Sequence, residues 1–206
     1  MPILPLGLCL GAFPKRADPT DCLLTSKPYA NLNELPVRAK LGTNSLRRQG
    51  ALLHVRPDLE IVPIRGNIDT RLSKIQNHEL DGIVLAATGI ERLGLDLSVL
   101  YRLSLKDVIL PAVGQGVLAI EYRTDDKDTL KLVQTINDKQ TANCVHVERE
   151  FLRTLGGNCN FPIGGYVHYV NDMLVFTGSI SSPNGEHVIT AEITATDPQN
   201  IGKQVA

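Results

Sequence analysis

Residues 42–48, Gly-Thr-Asn-Ser-Leu-Arg-Arg, place two hydroxyls, an amide side chain and backbone N–H groups directly ahead of two guanidiniums. If the stretch opens a helix, the unpaired N–H groups and both cations share one end. A cationic first turn then opposes the helix dipole by roughly 0.3–1 kcal/mol unless an anion sits there. Arg65, Gly66, Asn67 and Arg71 repeat the arrangement, and Arg92 follows the apolar run GIVLAA in the same relation. Each arginine taken alone can be an ordinary solvated cation. Three successive strand-to-helix junctions with arginine at one edge point instead to a shared ligand at the carboxyl ends of the strands. The planar, permanently charged fork of arginine suits carboxylate or phosphate, and the absence of a GxxxxGK[ST] loop favours carboxylate over nucleotide phosphate.

A second candidate is Cys159, in the stretch GGNCNFPIGG of residues 156–165. Glycines on both sides leave room for a bulky group against the backbone, so attachment or nucleophilic chemistry competes here with a plain turn cysteine. Cys9, Cys22 and Cys144 sit in apolar contexts and read as buried thiols, with no CxxC pair and no disulfide framework. The five histidines are scattered, with no HExxH and no i, i+4 pair, so no metal site is assigned.

The elements that must hold these residues follow from apolar periodicity and punctuation. Two short strands are expected between Leu6 and Ser26. Thr43 or Asn44 is expected to cap a helix from about Ser45 to Val55. EIVPIR reads as an edge or bulged strand because of Pro63, Asn67 as the cap of a helix reaching Gln76, and GIVLAA as a buried strand leading into a short helix. LPAVGQG (110–116) is a breaker-rich crossing segment, followed by a strand at Val117–Tyr122. Helices at about 126–137 and 140–155 precede three strands joined by Asn171-Asp172 and by Ser182-Pro183-Asn184-Gly185, an antiparallel meander with no helix expected after it. The fold class is α/β. A parallel-type lobe spans 35–110, and a small α+β unit with a three-stranded antiparallel sheet spans 125–206.

The chain has 206 residues with 21 Lys plus Arg against 22 Asp plus Glu, a net charge of -1. That balance argues against a general nucleic-acid coat, which needs a basic excess. The distribution is uneven. Residues 38–74 carry eight basic side chains against three acids, whereas seven face eleven beyond residue 120. A basic region inside a neutral protein suits a small anionic molecule. No apolar stretch approaches the roughly 20 residues a membrane helix needs, and the apolar start lacks a basic n-region, so a cytosolic address and no membrane partner are expected.

GTNSLRRQ (42–49), RPDLEIVPIRGNIDTRLSK (56–74), ATGIERLGL (87–95), LPAVGQG (110–116) and GGNCNFPIG (156–164) together resemble the porphobilinogen deaminase (hydroxymethylbilane synthase) family, in order over nearly the whole chain. The resemblance implies a periplasmic-binding-protein-like fold, with 1–34 and 111–124 the remnant of a second α/β lobe, and a monomeric transferase of tetrapyrrole and haem biosynthesis. Such an enzyme condenses four porphobilinogen molecules head to tail and releases ammonia at each step. It further implies a dipyrromethane cofactor attached by a thioether to Cys159, with Thr43, Ser45, Arg47, Arg48, Arg65, Gly66, Asn67 and Gln115 around it. Arg71 and Arg92 would serve the substrate and the growing oligopyrrole. Two departures accompany it: Asn158 replaces a glycine and Gly156 an acidic residue. The family's catalytic aspartate belongs to an N-terminal segment expected to precede Met1, and its C-terminal covering helix is also expected to be missing. No Asp or Glu here occupies the aspartate's motif, so no catalytic residue is assigned, and an inactive form that only binds anionic pyrroles is the alternative.

Overall fold

The computed structural model describes residues 4–94, 97–157 and 161–206. Its centre is a five-stranded sheet in the order β4-β3-β5-β2-β6, formed by β2 (Asp21–Thr25), β3 (Lys40–Gly42), β4 (Glu60–Val62), β5 (Gly82–Ala86) and β6 (Tyr101–Ser104). β3 runs parallel to β4 and β5, whereas β2 runs antiparallel to both β5 and β6, so the sheet is mixed and not purely parallel. The reason is β2. The sequence reading puts residues 21–25 with the remnant of the second lobe, but all five are buried as an inner strand of this sheet. Helices cover both faces, so alternate residues of β2 enter different cores and none is left for solvent. Leu23 joins Leu41, Leu52 and Val84 on one side, while Cys22 and Leu24 join Ile75, Ile83 and Ile90 on the other.

Three helices follow the strands of this sheet. α1 (Leu46–Val55) begins at Ser45, whose hydroxyl accepts from the Arg48 N–H at 3.4 Å. The cap is therefore Ser45 and not Thr43 or Asn44, because both of those side chains are used elsewhere. Thr43 Oγ1 accepts from the Ser45 N–H, and the Asn44 amide pairs in both directions with the Ile64 backbone, extending the edge of β4 past Pro63. α2 (Ile68–Gln76) is capped by Asn67 as expected from its sequence, with Thr70 N–H donating at 2.9 Å. α3 (Ala87–Leu93) follows β5 directly.

β1 (Leu8–Ala12) pairs antiparallel with β7 (Ile120–Arg123) in a separate two-stranded ribbon, with α4 (Lys127–Gln134) beside it. β7 begins later than the sequence suggests because Val117 is still in a turn, its N–H bonded to the Gly114 carbonyl. The C-terminal unit has α5 (Lys139–Thr154), capped by Asp138, laid across β8 (Ile163–Val170), β9 (Met173–Ser181) and β10 (Val188–Ala195) in the order β10-β9-β8. The β8–β9 turn uses Asn171 and Asp172, both at positive φ, the geometry that matches hairpin twist. Phe151 and Phe176 meet edge to face at 5.1 Å, and Gly178 leaves room for the Phe151 ring. A short α6 (Ile201–Val205), absent from the sequence reading, packs on α5, where Gly202 lets the backbones approach at Val147. No helix among the described residues is long and apolar enough to cross a membrane.

Candidate functional site

The turn from β3 to α1 aims Arg47 and Arg48 back beneath the sheet, and both find the same carboxylate. Asp21, at the head of β2, is fully buried, while the Arg47 and Arg48 side chains are 8% and 15% exposed. Arg47 Nη1 donates to Asp21 Oδ2 at 2.7 Å and to the Leu110 carbonyl at 2.6 Å, and its Nη2 donates to Gln115 Oε1 at 3.0 Å. Arg48 gives Nε and Nη2 to Asp21 Oδ1 at 3.1 and 2.7 Å, and Nη1 to the Val84 carbonyl. Gln115 Nε2 closes the cluster on the Pro19 carbonyl and Asp21 Oδ1.

Asp21 is the residue that sequence reasoning missed. The available signal was an acid at the head of DCLLT, an otherwise apolar strand, where a buried charge requires a partner. Its presence changes the electrostatics without ending the demand for an anion. Two guanidiniums face one carboxylate, leaving an excess positive charge, and the described partners take three of the five N–H donors of each arginine. Burial pulls the Arg47 guanidinium below its ordinary pKa, with Asp21 opposing that pull. A further carboxylate would relieve the same strain.

These groups wall a cleft of about 250 Å³, with Ser45, Arg47, Arg48 and Gln115 on one side and Leu152, Phe161 and Ile163 on the other. The polar wall comes from the start of α1 and the crossing segment, and the apolar wall from the C-terminal unit. Cys159 lies outside the described residues; Phe161, two positions further along the chain, stands on the apolar wall.

Gln115 is held from behind. Glu148 on α5 is fully buried and accepts from both terminal nitrogens of Arg16, at 2.6 and 3.1 Å, and from the Gly114 and Val167 N–H groups. Burial raises the Glu148 carboxyl, and the Arg16 bonds oppose that rise. Arg16 Nε also donates to the Gln115 carbonyl at 2.9 Å, so the crossing segment is clamped between the ribbon and α5. Gly116 is required there, since at φ +82° a Cβ would lie 2.6 Å from the Ala17 carbonyl oxygen.

The remaining predicted residues form a more open set. Arg65 is exposed and has no hydrogen bond among the described residues, and Arg71 Nε donates to the Gly66 carbonyl at 2.9 Å. Gly66 has φ +111°, and Asn67 is occupied in capping α2. Arg92 donates to the Gly116 carbonyl at 3.2 Å, beside Gln115 in the chain. Arg65, Arg71 and Arg92 do not line the cleft, and Thr43 is buried in the turn behind it. Cys22 and Cys144 are buried, and desolvation pushes each thiol up to about 11, which keeps both protonated at neutral pH.

Residues 1–131 match the model of the porphobilinogen deaminase, dipyromethane cofactor binding domain, and residues 142–206 match that of the porphobilinogen deaminase, C-terminal domain. The chain belongs to the porphobilinogen deaminase family. It is 57% identical over 206 residues to the porphobilinogen deaminase of Limosilactobacillus reuteri strain DSM 20016, covering all of this chain and 68% of that protein. It is 45% identical over 205 residues to that of Bacillus thuringiensis strain Al Hakam, covering 99% of this chain and 66% of the relative. Among solved structures, an amino acid ABC transporter substrate-binding protein, AbpA, from Streptococcus pneumoniae is similar at 13% identity and a TM-score of 0.40, over 72% of this chain and 56% of that one. The family is one of transferases in tetrapyrrole synthesis, and its cofactor is dipyrromethane.

Proposed function

We propose that the cleft between α1 and the start of β8 holds a dipyrromethane joined through Cys159, and that the chain adds porphobilinogen to it with loss of ammonia. Arg47 carries the reading: it is buried, short of counter-charge, and lines the cleft next to Gln115. The residues present fit the group. The unspent N–H donors of Arg47 and Arg48 suit pyrrole carboxylates, the Ser45 hydroxyl and Gln115 amide add neutral bonds, and Leu152, Phe161 and Ile163 offer apolar surface to ring faces. When bound, the cofactor supplies the pyrrole terminus onto which new units are joined.

The protein's part is to bind, orient and neutralise. Each ring brings two carboxylates, and a growing chain repels itself unless cations are fixed nearby. The forks of Arg65 and Arg92, exposed, and of Arg71, half-buried, serve as the next positions for that charge. Thr43, Gly66 and Asn67 shape the turns that carry the forks. The protein would act as a cytoplasmic monomer. The test is incubation with porphobilinogen and measurement of ammonia. Release continuing well beyond two equivalents per chain supports elongation.

A second reading, retention of pyrroles without elongation, is favoured by one observation. No acidic side chain is among the described lining of the cleft, because Asp21 lies behind it with its oxygens taken by Arg47, Arg48 and Gln115. Ammonia release that stops at two equivalents, with pyrrole bound, would establish that reading.

A further inference from the structure

The sheet face turned away from α5 carries Thr177, Ser179 and Ser181 on β9 and Val188 and Thr190 on β10, brought level by the strand register. At one end this face closes against α1 and the segment after β6, leaving a groove of about 250 Å³ distinct from the cleft. Its polar groups divide into donors and acceptors. Ser181 is only 8% exposed, and its hydroxyl is packed against Gly50 of α1, closed to the groove. Thr190 donates to Ser179 Oγ at 3.4 Å, so the Ser179 hydroxyl hydrogen remains available. Lys106 stands on the rim with no ion pair among the described residues. His54 Nδ1 lies 2.9 Å from the Gly185 carbonyl, which can only accept. In the neutral ring the hydrogen is then on Nδ1, and Nε2 is an acceptor. Asp107 adds a second acceptor beside Lys106.

We propose that this groove is a second binding site, for a small carboxylate that also carries an N–H donor. Lys106 and Ser179 take the carboxylate, and His54 Nε2 with Asp107 takes the N–H. Ala51, Val55 and Val188 cover a body no larger than one small ring. Arg47 lines both the groove and the cleft, so occupation of one bears on the guanidinium of the other. The inference needs neither the cofactor nor turnover, and stands or falls apart from the tetrapyrrole reading.

The test is amide NMR titration of the full chain with pyrrole-2-carboxylate. Furan-2-carboxylate lacks the N–H, pyrrole-2-carboxamide lacks the charge, and proline carries both on a saturated ring. Saturable shifts are expected in the second half of α1, at 106–108 and along β9–β10. The furan and carboxamide are expected to bind about tenfold more weakly, and Lys106→Gln to weaken pyrrole-2-carboxylate by about tenfold. Thr190→Phe, at an exposed position, fills the groove and removes binding, whereas Phe161→Ala, which lines only the cleft, leaves it unchanged. Tighter binding of proline than of the pyrrole acid identifies an amino acid as the natural class, and the reverse identifies an aromatic acid. Absence of saturable binding overturns the proposal. So does binding that survives Thr190→Phe but fails with Phe161→Ala, since that places the probe in the cleft.

Discussion

The first and second strand-to-helix junctions look alike in sequence and differ in physics. Both follow a strand of the same sheet, both open a helix with a polar cap, and both present arginine. At the first, Arg47 and Arg48 are drawn inward onto Asp21, Gln115 and two carbonyls. At the second, Arg65 stays in solvent and the Arg71 guanidinium donates to the Gly66 carbonyl. The deciding groups, Asp21 and Gln115, lie 26 and 68 residues away in sequence from Arg47. Local sequence thus decides where a cation is offered, and distant chain decides whether it is fixed or free. A fixed pair suits a permanently attached group, and free forks suit a chain that lengthens.

The largest effect should come from breaking the fixed side. Asp21→Ala strands two buried guanidiniums and is expected to cost about 3–5 kcal/mol in urea unfolding, the scale of a broken buried ion pair. Arg65→Leu, at an exposed position, is expected to cost less than about 0.5 kcal/mol in the same measurement. Similar costs at the two sites would erase the distinction. Ligand retention should separate them differently. Arg65→Leu is expected to weaken binding of a linear carboxylated oligopyrrole by about tenfold, the equivalent of one charge-assisted bond, while leaving the cofactor mass unchanged.

The smallest effect concerns the frame that carries the apolar wall. Asp138 caps α5, and its carboxyl is held below the ordinary value first by the Thr141 N–H and then by the Thr141 hydroxyl. A folded pKa depressed in this way contributes stability above the ordinary carboxylate range, and that stability is lost as pH falls through the depressed value. Asp138→Ala is expected to cost about 1 kcal/mol at neutral pH. Asp138→Asn should keep most of the cap and flatten the acid limb of a stability-against-pH curve. An unchanged acid limb in Asp138→Asn would remove the carboxylate from the account.

Much of this architecture was legible along the chain, wherever a few consecutive residues decide the outcome. Asn67 capping α2, the Asn171-Asp172 hairpin and the continuous apolar run of β5 are of that kind. The placement of β2 was not, because five buried residues in a row do not say which sheet encloses them. Asp21 followed β2 into obscurity, since its meaning depends on Arg47 and Arg48 arriving from α1. Glu148 is similar: on α5 it reads as one charge among Arg149, Glu150 and Arg153, and only the fold brings Arg16 and the Gly114 N–H to it. The arginines of the site were visible by type and spacing. Their partition into fixed and free was set by tertiary contact.

The central claim is that the Asp21-held arginine pair and the apolar wall enclose a dipyrromethane tethered at Cys159. Peptide-resolved mass spectrometry of the chain, purified from cells that make porphobilinogen, tests it most directly. The account predicts a two-pyrrole increment on the peptide containing Cys159, lost in Cys159→Ser and in Arg47→Leu. An unmodified Cys159 thiol in the wild-type chain would contradict it.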